Sequence, residues 1–296
     1  MNRYLTISLI LLSFLFTSMS SDKPAYRIYN LKGRNADYDD MLKAAKKADV
    51  IFFGEMHNNP VCHWLELELT KDLYEDKGTN LVLGAEMLES DNQLLLDEYL
   101  SKLIRKKDFE AEAKLWSNYK TDYAPLVDFA REKGVKFVAT SIPRRFAALV
   151  NLKGFQGLDS INARERGMMA PLPIHYVDTL ECYKSIMKAV GDGMPAHTTQ
   201  NLAKAQAIKD ATMASFIQKN GVVDQTTFLH FNGSYHSDNF QGIVWYLNDN
   251  LKKTNFTLKI MTIACVEQAN IDTIAKSDIG KADYIIVIPS SMTKSQ

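Results

Sequence analysis

The sequence predicts an α/β protein, a mainly parallel sheet covered by helices, with a helical insertion set into the chain. Three observations carry that prediction. Strand-length apolar runs alternate with helix-length stretches, the runs are apolar throughout as in sheets buried on both faces, and no strand run appears between about Asn151 and Gly221. The chain of 296 residues is 46% hydrophobic and 24% charged, ordinary for a folded protein. Lys plus Arg and Asp plus Glu both number 35, which excludes a basic field for nucleic acid and an acidic tail. Function has to sit in a pocket.

Residues 1–20 read as a cleaved secretory signal. Arg3 gives a positive start, Leu5–Phe16 is apolar apart from Thr6, Ser8 and Ser13, and Ser18-Met19-Ser20 supplies the small residues that signal peptidase reads. The run is short for a membrane span, and no cysteine near the cleavage point offers a lipid attachment site. The mature chain is expected to begin near Ser21 and to be exported. Cys62, Cys182 and Cys265 would then meet an oxidising compartment as an odd set, which permits one disulfide plus a free thiol.

The core is expected in residues 21–150 and 221–296, with the helical insertion in 151–220. Val50–Phe53 is the first strand and ends in Gly54-Glu55-Met56-His57. Asn58-Asn59 caps and Pro60 opens the following helix, which Gly78 closes. Asn80–Gly84 is the second strand, running into Ala85-Glu86-Met87, and helices are expected over Leu94–Ile104 and Tyr123–Lys133. Val135–Thr140 is the third strand and leads to Ser141-Ile142-Pro143-Arg144-Arg145. Thr226–Phe231, Thr257–Ala264 and Tyr284–Ile288 complete the strands, and Tyr176–Val190 and Thr198–Lys219 are the helical patterns of the insertion.

Polar groups gather where these strands end. Glu55 and His57 follow the first, Glu86 the second, Arg144 and Arg145 the third, and Ser234-Tyr235-His236 the fourth. Singly, each is an ordinary solvated loop residue. Together they converge on the carboxyl edge, where open parallel sheets bind ligands. His63, one to two helical turns on, could reach the same space, and Arg144 is expected to pair with Glu55 or Glu86 because a buried guanidinium is seldom left unpaired. On the long helix, Leu202, Gln206, Asp210, Met213 and Ile217 share one face, so Gln206 and Asp210 either bond to a neighbour such as Arg144 or Arg145 or line the pocket. In the insertion Tyr176, Leu180, Tyr183 and Met187 form a stripe at helical spacing, which packing alone would explain; tyrosine, histidine and methionine are also haem ligands.

The ordered set Ile51-Phe52-Phe53-Gly54-Glu55-Met56-His57, Gly84-Ala85-Glu86-Met87, Ile142-Pro143-Arg144-Arg145, Ala205-Gln206 with Asp210–Ala214, and Asn232-Gly233-Ser234-Tyr235-His236 with Gly242-Ile243 resembles the ChaN-like haem-binding proteins. That family is similar to a wider group with the erythromycin esterases and the TraB/TIKI-type metal-dependent hydrolases. The resemblance implies haem at a homodimer interface, a tyrosine on iron, propionates held by histidine and lysine, and a part in bacterial iron acquisition. Localisation would be periplasmic or outer-membrane associated, with outer-membrane haem uptake components as partners. Tyr176 and Tyr183 are the candidate iron ligands and Tyr235 the third. His175, His197, Arg144, Arg145 and Asp210 complete the expected haem-binding set. The chain departs from the family in lacking a lipidation cysteine and in reading Asn-Gly-Ser-Tyr-His where a Gly-x-Gly-His form is usual. The competing expectation is a hydrolase using Glu55, His57, Glu86 and His236, with zinc or manganese on Glu55, His57 and His236. A third is a binding module for another small ligand.

Overall fold

A computed structural model describes residues 23–190, 201–221, 226–254 and 256–295. The expected signal and His197 lie outside the described residues. The strands, in chain order, are β1 (Arg27–Asn30), β2 (Asn35–Ala36), β3 (Val50–Glu55), β4 (Leu81–Glu89), β5 (Lys136–Ser141), β6 (Thr227–Gly233), β7 (Ile260–Gln268) and β8 (Tyr284–Pro289). They form one sheet in the order β2-β1-β8-β7-β3-β6-β4-β5, parallel from β8 to β5, with β1 antiparallel to β2 and β8. The α/β class therefore holds, with an antiparallel β1–β2 edge that the apolar-run reading did not anticipate.

The helices that matter for the site are α1 (Tyr38–Ala45), α2 (Pro60–Lys77), α3 (Gln93–Leu100), α4 (Lys106–Glu112), α5 (Ala124–Lys133), α6 (Arg144–Lys153), α7 (Ala163–Arg166), α8 (Glu181–Val190), α9 (Leu202–Gly221) and α10 (Ile243–Leu251). The start of α2 follows from its sequence: the Asn59 side chain accepts from the Val61 N–H at 3.0 Å, with Pro60 at the first position. Gly134 closes α5 in the left-handed region.

Strand parity sorts the core into two layers. Ile51 and Phe53 of β3 pack with Leu65 and Leu69 of α2 and Leu126 of α5, whereas Val50 and Phe52 pack with Met213 and Ile217 of α9 and Leu247 of α10. The odd positions of β3 thus face α2 and the even positions face α9. Burial of strands on both faces explains why these runs read as continuously apolar.

Two details depart from expectation. Tyr176 precedes α8 in irregular chain, so the Tyr176-to-Met187 stripe is not one helical face, although the Tyr176 and Tyr183 rings still lie 5.8 Å apart. Cys62, Cys182 and Cys265 are all free thiols, Cys62 and Cys265 buried, so the permitted disulfide is not formed.

Gly242 is where the fold demands a glycine. It has φ +55°, and a Cβ there would run into the His236 carbonyl and approach Asp210 Oδ2 to 3.3 Å. Gly242→Ala is expected to cost about 1–3 kcal/mol from backbone strain alone. Urea unfolding checks this; an unchanged midpoint would show that the turn can relax.

Candidate functional site

Topology brings the polar strand ends together. Strand β6 is inserted between β3 and β4, in register with Glu55 opposite Gly233 and Ala85 opposite Phe231. The β6 loop Gly233–His236 therefore lies between Glu55 and Glu86. The β4–β5 ladder shifts register between Ala85 and Glu89, an irregularity within β4 at the position of Glu86.

Glu55 continues the odd positions of β3 and faces α2. Its Oε1 takes a bond from the Tyr123 hydroxyl at 2.8 Å and lies 2.6 Å from His57 Nδ1. Its Oε2 stands 3.0 Å from Nδ1 of buried His63, which is also 3.3 Å from Glu66 Oε2. His63 Nε2 points the other way, 3.3 Å from the His57 carbonyl and 3.4 Å from Asp122 Oδ2. Asn118 Nδ2 donates at 2.8 Å to both the His57 carbonyl and Asp122, and the Ser295 hydroxyl donates to Asp122 at 2.7 Å. Asp122 and Tyr123 project from a π-helical turn over Tyr119–Tyr123, a distortion often found at functional sites.

Burial would raise the Glu55 pKa, but bonds from His57 and His63 hold it at about 2. Burial would lower His63, yet Glu55 and Glu66 carry it up to about 11. Glu66 is raised well above its ordinary range, by burial first and then by the charge of Glu55.

Glu86 faces the other layer. Its Oε2 accepts from the Gly233 N–H at 2.8 Å and its Oε1 lies 3.0 Å from His236 Nε2. His236 Nδ1 is 2.5 Å from Asp210 Oδ1, and Asp210 Oδ2 accepts from the Tyr183 hydroxyl at 2.7 Å. The Gln206 amide nitrogen lies 3.0 Å from both ring nitrogens of His236. Burial would depress His236, but Glu86 and Asp210 raise it to about 10, so it is an imidazolium at neutral pH. Glu86 is held well below the usual carboxylate range against the cost of its burial, chiefly by His236.

His57 stands between the two half-sites. A Cβ on Gly233 would meet its Nε2 at 2.7 Å and Glu86 Oε2 at 3.6 Å, so glycine is what lets the imidazole lie against the β6 end. The His57 side chain is 41% exposed and meets the Trp116 ring edge-on at 4.8 Å, which makes it more accessible than His63 and His236 beside it.

The structure brings together Glu55, His57, Glu86, Asp210 and His236, and leaves Arg144 and Arg145 apart. Arg144 opens α6 with its side chain 76% exposed and 3.9 Å from Glu89, not beside Glu55 or Glu86, and Arg145 pairs with Asp91 at 2.5 Å. Their place in the chain follows β5, but the first turn of α6 aims them at solvent. His175 pairs with Asp249 at 3.0 Å in a separate cleft lined by Pro173, Tyr246 and Lys253. Tyr183 is sealed in the core at 1% exposure, and Tyr176 packs against Phe155 and Tyr183. Among the described residues, the donors gathered closely enough for one ion are Glu55, His63 and Glu66, not Glu55, His57 and His236. Glu66 and Asp122 escaped the sequence reading; the spacing of Glu66 three residues after His63 was the signal for one of them.

Beside Gln206 the surface opens into a mainly apolar hollow of about 370 Å³ lined by Ile186, Leu202, Ala205, Gln206, Lys209 and Tyr235. Tyr235 is 43% exposed; its hydroxyl donates to the Cys182 carbonyl and lies 2.5 Å from Ser185 Oγ. No helix among the described residues is long and apolar enough to cross a membrane.

Residues 41–247 match the family model for haem-binding uptake proteins of the Tiki superfamily, ChaN. The fold is similar to that of ChaN of Campylobacter jejuni, which binds haem cofacially, at a TM-score of 0.67 and 21% identity over 89% of this chain and 96% of that one. It is also similar to an erythromycin esterase variant in its open conformation, with TM-score 0.51 and 12% identity over 92% of this chain and 99% of that one. A curated relative, RETICULATA-RELATED 5 of Arabidopsis thaliana chloroplasts, is 26% identical over 130 residues, 42% of this chain; the match spans 17% of that protein.

The His236 network sets a pH dependence. Its folded pKa lies above the ordinary 6.5, so its contribution is complete below pH 6.5 and is lost as pH rises through about 10. His236→Gln is expected to destabilise the chain by about 3 kcal/mol at pH 6, the usual cost of uncovering a buried charge, and by much less at pH 10. Urea unfolding at the two pH values measures the difference; an equal loss at both would refute the charged pair.

Proposed function

The chain belongs to the haem-binding uptake family of the Tiki superfamily, ChaN, and on that premise we propose that it is an exported carrier that takes up and relays haem. The observation that carries this reading is the apolar hollow beside the strand-end site, with one exposed tyrosine and one lysine among its lining residues. An apolar wall with a few placed polar groups suits a porphyrin. Tyr235 would hold the iron through its phenolic oxygen, Lys209 would meet a propionate, and Ile186 and Leu202 would cover the macrocycle. Tyr235 replaces Tyr176 and Tyr183 in this role because Tyr183 is buried in the core, whereas Tyr235 is exposed, and Tyr176 lies outside the hollow.

The strand-end network supports the hollow from beneath. Gln206 both lines the hollow and lies against His236, and His236 directly follows Tyr235. Haem supplies ferric iron, for which a tyrosinate is a hard anionic ligand; reduction weakens that bond and suits a carrier that has to release its cargo. In keeping with cofacial haem binding by the Campylobacter protein, two copies would present their Tyr235 faces to each other. Passage through the periplasm, with supply from outer-membrane uptake components, belongs to the same proposal, and Ile186, Leu202 and Lys209 would line the haem against Tyr235.

Titration of ferric haem into the purified chain, followed at the Soret band, tests the assignment. Tyr235→Phe keeps the ring and removes the donor, and is expected to weaken binding at least about tenfold, about 1.4 kcal/mol, with loss of the tyrosinate spectrum. Tyr176→Phe and Tyr183→Phe should leave that spectrum in place. An unchanged spectrum and affinity in Tyr235→Phe would overturn the ligand assignment.

A further inference from the structure

We propose that Glu55, His63 and Glu66 form a binding site for one divalent transition-metal ion on the α2 side of the sheet edge, opposite the haem hollow. Each residue offers a ligand atom within 4.8 Å of the others, and all three are buried. One imidazole and two carboxylates are a donor set for zinc or manganese.

Hydrogen bonding divides the donors in a way that points inward. Glu55 Oε1 is saturated by Tyr123 and His57, while Oε2 has only an ion-pair contact with His63 Nδ1 at 3.0 Å, without hydrogen-bond geometry. Glu66 Oε1, in a residue with no exposed surface, is likewise unbonded. A carboxylate oxygen buried without a donor is costly, and a cation is the partner that would satisfy two of them at once. His63 is oriented as metal-bound histidines are: Nε2 is turned to Asp122 and the His57 carbonyl, which leaves Nδ1 facing the two carboxylates. Asp122 is itself fixed by Asn118 and Ser295. An ion entering there would displace the protons of His63 and Glu66, leaving a neutral imidazole and two carboxylates whose charge of −2 a divalent ion cancels.

The site is separate in function from the haem face. It shares no residue with the hollow, and Glu55 connects it to His57. An ion there would fix Glu55 and, through it, the partly exposed imidazole of His57; Glu66 and Asp122 would serve the ion and its histidine rather than the ligand in the hollow.

The test uses the full chain stripped with a chelator, then incubated with zinc or with manganese and desalted. One equivalent of metal by elemental analysis, with a raised melting temperature, is the expected result. Glu66→Gln preserves shape and is expected to weaken retention about a hundredfold, the scale of a disrupted metal shell, while haem titration stays as in the unsubstituted chain. Cobalt absorption of the unsubstituted chain gives a second reading that does not depend on the variant folding. No retained zinc or manganese together with a solvent-like cobalt spectrum overturns the site, as does full retention by a folded Glu66→Gln. Haem binding measured in parallel stands or falls by itself, so the two readings fail separately.

Discussion

A carboxylate taken out of water has to find donors or take up a proton, and this constraint organises the carboxyl edge of the sheet. Glu55, Glu66, Glu86, Asp122 and Asp210 are all buried there. Three imidazoles are interleaved among them: His63 among Glu55, Glu66 and Asp122, His236 between Glu86 and Asp210, and His57 against Glu55. Two of the imidazoles tie together elements far apart in sequence. His236 joins the end of β6 to β4 and α9, and His63 joins α2 to β3 and the π-helical turn before α5.

The chain order makes this geometry possible. Because β6 enters the sheet between β3 and β4, its terminal loop is flanked by both acidic strand ends. Strand parity then sends Glu55 toward α2, while Glu86 meets His236 and Asp210 on the α9 side. One edge thus carries two groups of side chains back to back. The α9 side has the apolar hollow and the exposed tyrosine; the α2 side has the closed nitrogen-and-oxygen donor set. His57, partly exposed between them, can respond to either.

Much of this was legible in the residues. The six strands from β3 to β8 are apolar runs long enough to be buried on both faces, and the glycines at positions 54 and 233 mark where they become loops. Glu55, His57 and His236 stand out at or just past such strand ends, and Glu86 follows the apolar run Leu81–Ala85 within β4. Strand β1, Arg27–Asn30, mixes charge with apolar residues and depends on β8, hundreds of positions away in the chain, so no local pattern announces it. Arg144 shows the same limit for side chains: sequence places it after β5, but the direction in which a helix starts decides where it points. Glu66 is hidden in a helix that buries a histidine and a glutamate among its apolar residues. The burial of a charge there depends on partners from β3 and the π-helical turn, which a reading of α2 alone does not include.

In the proposed carrier, haem lies on the Tyr235 face and is held there by the phenolic oxygen. Crystals of the haem-loaded chain, measured at the iron absorption edge, locate the metal without reference to a spectrum. The expected result is an anomalous iron peak at bonding distance from Tyr235 Oη, with the porphyrin over Ile186 and Leu202. An iron peak bonded instead to Tyr176, His57 or His197 would contradict it.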